Sequence, residues 1–125
     1  MTEADAQRLA VEWIEAWNSH DLDRILAHYA EDVELTSPFV ETVLGPGHKT
    51  VVGKAALRAY WRPIIVQYPD LHFVLHRAYA GVQSVVLRYR SIQGLMSAEC
   101  MELDAAGKIR RVQAHYALGP DPAAA

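Results

Sequence analysis

The sequence predicts a single α+β domain, in which three helices from the first half of the chain cover a curved antiparallel sheet from the second half. Two observations lead to this fold class. Apolar residues recur at spacings of three and four as far as Ile64, and after Pro69 they alternate with polar residues. A length of 125 residues with 51% apolar side chains suits one domain with a hydrophobic core. We expect residues 1–118 to form the domain and residues 119–125 to fray.

Three segments carry the helical spacing. The first helix is predicted over residues 2–18, where Thr2 and Asp5 resemble a capping box. The second begins after Asp21, a good N-cap residue, and the third follows a loop at residues 45–47. Pro63 predicts a break near Arg62, because proline lacks an amide donor and its ring clashes with the preceding turn. The apolar stripes are Ala6, Leu9, Ala10, Trp13, Ile14 and Trp17; Leu22, Ile25, Leu26 and Tyr29; and Leu57, Tyr60, Trp61 and Ile64.

Five segments read as strands. A short one is predicted over residues 33–37 and stops at Pro38. The other four alternate over residues 71–76, 82–91, 95–103 and 109–118, with turn residues at 80–81, 93–94 and 104–107 between them. Such short connections predict an antiparallel meander. A twisted sheet of this kind, closed by helices, encloses a cone-shaped interior.

Charge and composition exclude several classes of function. The net charge is −3 and the basic residues are scattered, so there is no electrostatic footprint for nucleic acid. No apolar run is long enough to cross a membrane, and the single Cys100 excludes an intramolecular disulfide. The start MTEADAQ lacks the pattern of a signal peptide, which predicts a cytoplasmic protein.

Glu99 is the candidate acid/base residue, since strand alternation turns its side chain toward the interior. Burial there would disfavour the ionised carboxylate and raise its pKa, giving an acid or base near neutral pH. Two interpretations stay open: Glu99 is an acid/base residue, or it is a structural residue held by Tyr or Trp donors. The residues predicted to point inward with it are Ser97, Met101, Leu103, Val85, Leu87, Tyr89, Ser91, Val112, Ala114 and Tyr116.

Aromatic residues are expected to shape the interior. Taken singly, each is more typical of a core, but together they favour a cleft for a flat, apolar molecule. They are Trp13, Trp17, Tyr29, Phe39, Tyr60 and Trp61.

A metal site is not predicted. His72 and His76 lie four residues apart on a strand, a separation of roughly 13 Å, which is too far to share an ion. His115 is expected on the outer face of the sheet, and Cys100 faces outward with no activating partner. No cofactor is expected either.

Five runs in order give the chain a family resemblance. They are WNSHDLD at 17–23, YAEDV at 29–33, GKAALRAYW at 53–61, YPDLHF at 68–73 and AGKI at 106–109. Together they resemble the nuclear transport factor 2-like superfamily, in particular its SnoaL-like and ketosteroid isomerase-like branch. The resemblance spans nearly the whole chain and implies the cystatin-like fold of that superfamily. It does not specify a reaction, because this fold hosts many.

The resemblance allows three catalytic positions to be compared. Ketosteroid isomerases use an Asp base with an oxyanion hole formed by a Tyr and a protonated Asp. The tyrosine position falls on Trp13, the base position on Ser37 and the protonated acid on Glu99. A serine hydroxyl cannot remove a proton from carbon, so steroid isomerisation by the usual mechanism is not expected. The Asp-Arg-Asp set of the superfamily's epoxide hydrolases has no inward counterpart.

The sequence therefore predicts a cone-shaped pocket that binds a small, largely apolar organic molecule. The hypothesis is cofactor-independent isomerisation, dehydration or cyclisation by Glu99, with Trp13 and Ser37 orienting the substrate. The alternative is a non-catalytic ligand-binding or dimerisation module. The predicted pocket residues are Trp13, Trp17, Tyr29, Ser37, Trp61, Leu87, Tyr89, Met101, Val112, Ala114 and Tyr116. The resemblance also implies a homodimer through the outer sheet face, formed by Arg88, Arg90, Cys100, Glu102, Arg111, Gln113 and His115.

Overall fold

A computed structural model describes residues 1–119, so that all but the first residue of the predicted tail lies outside the described residues. The α+β class is confirmed, with helices on one side of a curved six-stranded sheet. In chain order the elements are α1 (Glu3–Ser19), α2 (Leu22–Leu26), β1 (Tyr29–Thr36), α3 (Pro38–Leu44), β2 (Thr50–Val52), α4 (Lys54–Gln67), β3 (Val74–Ala80), β4 (Ser84–Arg90), a 3-10 turn (Ile92–Gly94), β5 (Met96–Leu103) and β6 (Ile109–Tyr116).

The sheet has the strand order β2-β1-β6-β5-β4-β3. Strands β3 to β6 form the predicted antiparallel meander. The sheet is not wholly antiparallel, however, because β1 lies parallel to β6, with Leu35 opposite Val112. After α4 the chain enters the sheet at its far edge and returns strand by strand, which brings β6 alongside β1. No helix within residues 1–119 is long and apolar enough to cross a membrane.

One helix and one strand were not predicted from the sequence. Residues 38–44 form α3 rather than a loop, because Ser37 accepts the Phe39 amide at 3.2 Å as an N-cap and Pro38 occupies the first helical turn. Residues 50–52 form β2, which pairs with β1 through Val51 opposite Leu35. The same proline that ends a strand also starts a helix.

The predicted break at Pro63 is wrong. Helix α4 runs from Lys54 to Gln67 with Pro63 inside it. Both Pro63 and Ala59, whose carbonyl would accept the missing amide, are exposed. Water can therefore satisfy that carbonyl, and the lost hydrogen bond does not interrupt the helix.

The core lies between the helices and the inner face of the sheet. Helix α1, with the predicted capping box at Thr2 and Asp5, packs its buried stripe across β3. Trp13 packs edge-on against Tyr89 at 5.1 Å between ring centroids, and Phe73 lies beside both rings. Strand alternation is confirmed on β5, where Ser97, Glu99 and Met101 are buried while Cys100 is exposed.

Candidate functional site

A cavity of about 500 Å³ lies between α1, α4 and the inner face of the sheet. Its mouth is at one end of the domain, where α3, the end of α4 and the 3-10 turn meet. The exposed residues there are Thr42, Val43, Gln67 and Gln93. The cone-shaped interior that the sequence predicts is therefore partly hollow.

Aromatic rings make up most of the cavity wall near α1 and α4. Trp17 meets Trp61 edge-on at 4.8 Å between ring centroids, and Trp13 stacks on Phe73 at 5.9 Å. Tyr60 lies one residue before Trp61 on the same helix and is also in the wall. Trp13 and Phe73 also contact Tyr89 of the sheet, and the cavity beside these rings suits a flat guest.

Glu99 lies on the opposite wall, on β5 between Leu87 of β4 and Ala114 of β6. Its side chain is buried, with 6% of the residue surface exposed. The Tyr89 hydroxyl donates a hydrogen bond to Oε1 at 2.5 Å. The other oxygen, Oε2, has no hydrogen-bond partner within residues 1–119 and is not sealed off by protein atoms. One carboxyl oxygen is thus left for a ligand.

Burial raises the pKa of Glu99 from 4.5 to about 7, and the hydrogen bond from Tyr89 opposes that rise. The desolvation effect is larger because no cation compensates the charge: Glu99 forms no ion pair within residues 1–119. At neutral pH the carboxyl is close to its midpoint, where a group can both give and take a proton.

Tyrosine hydroxyls surround Glu99. Burial raises the pKa of Tyr60 to about 12, and the charge of Glu99 adds to the effect. Burial raises the pKa of Tyr29, Tyr89 and Tyr116 as well, again with a contribution from Glu99. These hydroxyls therefore remain protonated through the neutral pH range, in which Glu99 changes its charge.

Trp13 does not present its indole N–H to the cavity, which corrects its predicted role as a hydrogen-bond donor to the substrate. Nε1 donates to the buried Tyr29 hydroxyl at 2.8 Å, so only the ring of Trp13 serves the wall. Ser37 is buried in the wall and accepts the Phe39 amide, which leaves its own hydroxyl hydrogen able to donate. The Trp17 Nε1 and the Ser97 hydroxyl are buried without a partner in residues 1–119.

The structure brings most of the predicted pocket residues to one cavity. Those in its wall are Trp13, Trp17, Ser37, Trp61, Tyr89, Glu99, Ala114 and Tyr116. Four others point inward but lie in the solid core rather than at the cavity surface, which corrects their predicted contact with a ligand. They are Tyr29, Leu87, Met101 and Val112, each almost fully buried.

Sequence reasoning missed the mouth of the cavity. Thr42 and Val43 reach it from α3, beside Phe39, which the sequence predicts in the interior. Ile92 reaches it from the 3-10 turn and Leu95 from the residue after that turn. Neither a helix nor a strand was predicted over residues 38–44 or 92–94. The Ser37-Pro38 pair was the available signal for α3, since it combines an N-cap residue with proline in the first turn. Within the described chain no group of three His, Cys, Asp or Glu side chains is placed to hold a metal.

Comparisons with known proteins agree on the family. The SnoaL-like domain family matches residues 10–116. A SnoaL-like protein of unknown function from Burkholderia thailandensis E264 superposes with a TM-score of 0.89 at 41% identity, covering 94% of this chain and 98% of that one. No curated protein matches.

More distant structures share the fold. A candidate isomerase of the SnoaL-like family from Agrobacterium tumefaciens has a TM-score of 0.72 at 18% identity, covering 91% of this chain and 98% of that one. A candidate ketosteroid isomerase from Kribbella flavida has a TM-score of 0.70 at 19% identity, covering 96% and 83%.

Proposed function

Because the chain belongs to the SnoaL-like domain family, we propose that its cavity binds a small, largely apolar organic molecule and that Glu99 carries out acid/base chemistry on it without a cofactor. The observation that carries the proposal is Glu99 itself. It is a buried carboxyl at the cavity wall, held through one oxygen by Tyr89, with a pKa raised to about 7. The names given to the distant relatives, candidate isomerases, support the reaction class.

The surrounding residues suit such a reaction. The Tyr89 hydrogen bond fixes the orientation of the carboxyl, and the aromatic walls exclude water from the bound molecule. Ser37 and Tyr116 supply two further hydroxyls to the wall, which suits them to orient a polar group of the substrate. Glu99 would give a proton to, or take one from, an atom within reach of Oε2. Isomerisation, dehydration and cyclisation all contain such a step.

The test is a screen of planar cyclic ketones, enols and phenols by NMR for binding and conversion, followed by Glu99→Gln. We expect the variant to bind the same compound while turnover falls by about 10²-fold to 10⁴-fold. Glu3→Gln is the control, since Glu3 is exposed in the first turn of α1 and away from both the cavity and the outer sheet face. Equal turnover in the Glu99→Gln variant and in the Glu3→Gln control would remove Glu99 from the reaction.

One observation favours the alternative, a non-catalytic binding module. Glu99 is the one carboxyl in the wall that the described residues form, and the expected base position holds Ser37. In that case the same screen yields saturable binding with no product, and Glu99→Gln changes affinity only.

We also propose that the protein is a homodimer formed through the outer face of the sheet. The helices leave that face uncovered, and Arg88, Arg90 and His115 are exposed on it. A cytoplasmic location stays a prediction, which cell fractionation would check.

A further inference from the structure

The wall of the cavity has an unbalanced set of charges. Glu99 is the one carboxyl among the described residues of the wall, and no Lys, Arg or His side chain belongs to it within residues 1–119. The nearest basic residues on the flanking strands, such as Arg88 of β4 and Arg111 of β6, point to the outer face. An anionic guest would therefore meet a like charge with nothing to compensate it, whereas a cationic guest would meet its counter-ion.

The rest of the wall suits a cation as well. Trp13, Trp17, Tyr60, Trp61 and Phe73 belong to the wall of the same cavity as Glu99. Aromatic faces carry negative electrostatic potential, and Trp and Tyr are the rings that attract organic cations most strongly. A desolvated site of aromatic rings around one carboxyl is the arrangement that recognises ammonium groups.

The carboxyl is oriented to accept a hydrogen bond. Tyr89 donates to Oε1, a contact that stabilises the ionised form, and Oε2 remains without a partner within the described residues. An ammonium group carries N–H donors and no acceptor. It would therefore donate a charge-assisted hydrogen bond to Oε2 and give that oxygen a partner. A neutral carbonyl guest would instead need Glu99 to be protonated.

We propose that the cavity selects its ligand by charge and takes a flat organic amine in its protonated form, whose ammonium group pairs with ionised Glu99. The inference rests on the proposed function to the extent that the cavity must bind a small organic molecule. It goes beyond the proposed function because it names the chemical class of the ligand. Binding releases to solvent the proton that Glu99 carries at lower pH, so proton and amine compete for the same oxygen.

This competition gives a pH signature with a definite sign. Because the Glu99 carboxyl has a pKa of about 7, raising the pH from 6 to 8 should increase amine affinity by about tenfold. A neutral guest hydrogen-bonded by the protonated acid would show the opposite trend. The tyrosines that face Glu99 from the neighbouring elements do not titrate in this range, since their pKa values are raised: Tyr29 of β1, Tyr60 of α4, Tyr89 of β4 and Tyr116 of β6.

The experiment uses three probes of similar shape, naphthylmethylamine, naphthylmethanol and naphthoate, titrated into the full-length protein by calorimetry at pH 6 and pH 8. We expect the amine to bind at pH 8 at least about tenfold more tightly than the alcohol, and the naphthoate not to bind. In Glu99→Gln the amine should lose its advantage over the alcohol and its pH dependence. Glu3→Gln, at an exposed site in the first turn of α1, should behave as the wild type.

The outcomes separate the two proposals. If the alcohol binds as tightly as the amine, or if affinity for the amine falls between pH 6 and pH 8, the charge selection is wrong while the proposed binding function stands. If none of the three probes binds, the charge selection is wrong, and the proposed function is decided by the separate screen of ketones, enols and phenols. The pH dependence in the wild-type protein decides the matter even if Glu99→Gln does not fold.

Discussion

At Glu99, burial and a hydrogen bond act on the same carboxyl in opposite directions, and burial has the larger effect. The folded-state pKa of about 7 lies above the value of 4.5 expected in the unfolded chain. Between these values the folded protein binds the proton and the unfolded chain does not. The contribution of Glu99 to stability is therefore fully present below about pH 4.5 and is lost as the pH rises toward 7.

Glu99→Gln should remove this loss of stability at higher pH. The amide does not ionise, and its oxygen still accepts the hydrogen bond from the Tyr89 hydroxyl. Relative to wild type, the free energy of unfolding of the variant should rise by about 2–3 kcal/mol between pH 5 and pH 8. Urea unfolding at the two pH values measures the difference. Glu3→Gln, at an exposed site in the first turn of α1, is the control and should show no such trend. A constant difference between Glu99→Gln and wild type would mean that Glu99 titrates normally.

The side chains of Trp13 and Tyr29 share a buried hydrogen bond. Tyr29→Phe should cost about 1–3 kcal/mol, because it leaves the Trp13 N–H buried without the acceptor that it contacts at 2.8 Å. Ligand affinity should not change, since Tyr29 does not reach the cavity. Tyr79→Phe, at a site 45% exposed, is the matched control. A cost below a few tenths of a kcal/mol in urea unfolding would show that the hydrogen bond does not stabilise the fold.

Among the elements, α4 is the one that departs most from its sequence prediction. Pro63→Ala should raise the free energy of unfolding by about 1–3 kcal/mol, because the helix is continuous there and proline is the poorest residue in a helix interior. Arg62→Ala, at the neighbouring exposed site, should change it by less than about 0.5 kcal/mol. Urea unfolding of both variants measures the effect. An unchanged or lowered stability in Pro63→Ala would indicate that the helix is broken at Arg62 after all.

Strands β4 and β5 and helix α1 were predictable because period and burial agree along them. On β5 each alternate residue from Ser97 to Leu103 is buried, as the pattern indicates. Helix α3 was not predictable in the same way, because Pro38 is compatible both with the end of a strand and with the start of a helix. The parallel pairing of β1 with β6 depends on contacts between distant parts of the chain, which local patterns do not carry.

At the scale of the whole molecule, the sequence indicates which face a side chain occupies but not how deep it lies. Glu99 and Met101 share the inner face of β5, yet only Glu99 reaches the cavity while Met101 is sealed in the core. That difference arises from where the helices pack over the sheet, with α1 across β3 and α4 across β1. The cavity therefore depends on how the helices and the sheet pack together. Its mouth is formed by α3 and the 3-10 turn, two segments without a clear helical or strand pattern in the sequence.

The proposed dimer would bring the outer faces of two sheets together. In a two-fold symmetric dimer each surface patch faces a second copy of the same patch, so a charge change near the axis acts twice. Arg88 lies on the exposed outer face of β4, which is flanked by β3 and β5. We expect the wild-type protein to sediment at twice the chain mass of 14.0 kDa, and Arg88→Glu to shift it toward the monomer with an unchanged circular dichroism spectrum.

Arg62→Glu, on the exposed side of α4, is the control and should leave the dimer intact. A wild-type protein that sediments as a monomer throughout the micromolar range would rule out the dimer, and a dimer that tolerates Arg88→Glu would move the interface away from the centre of this face.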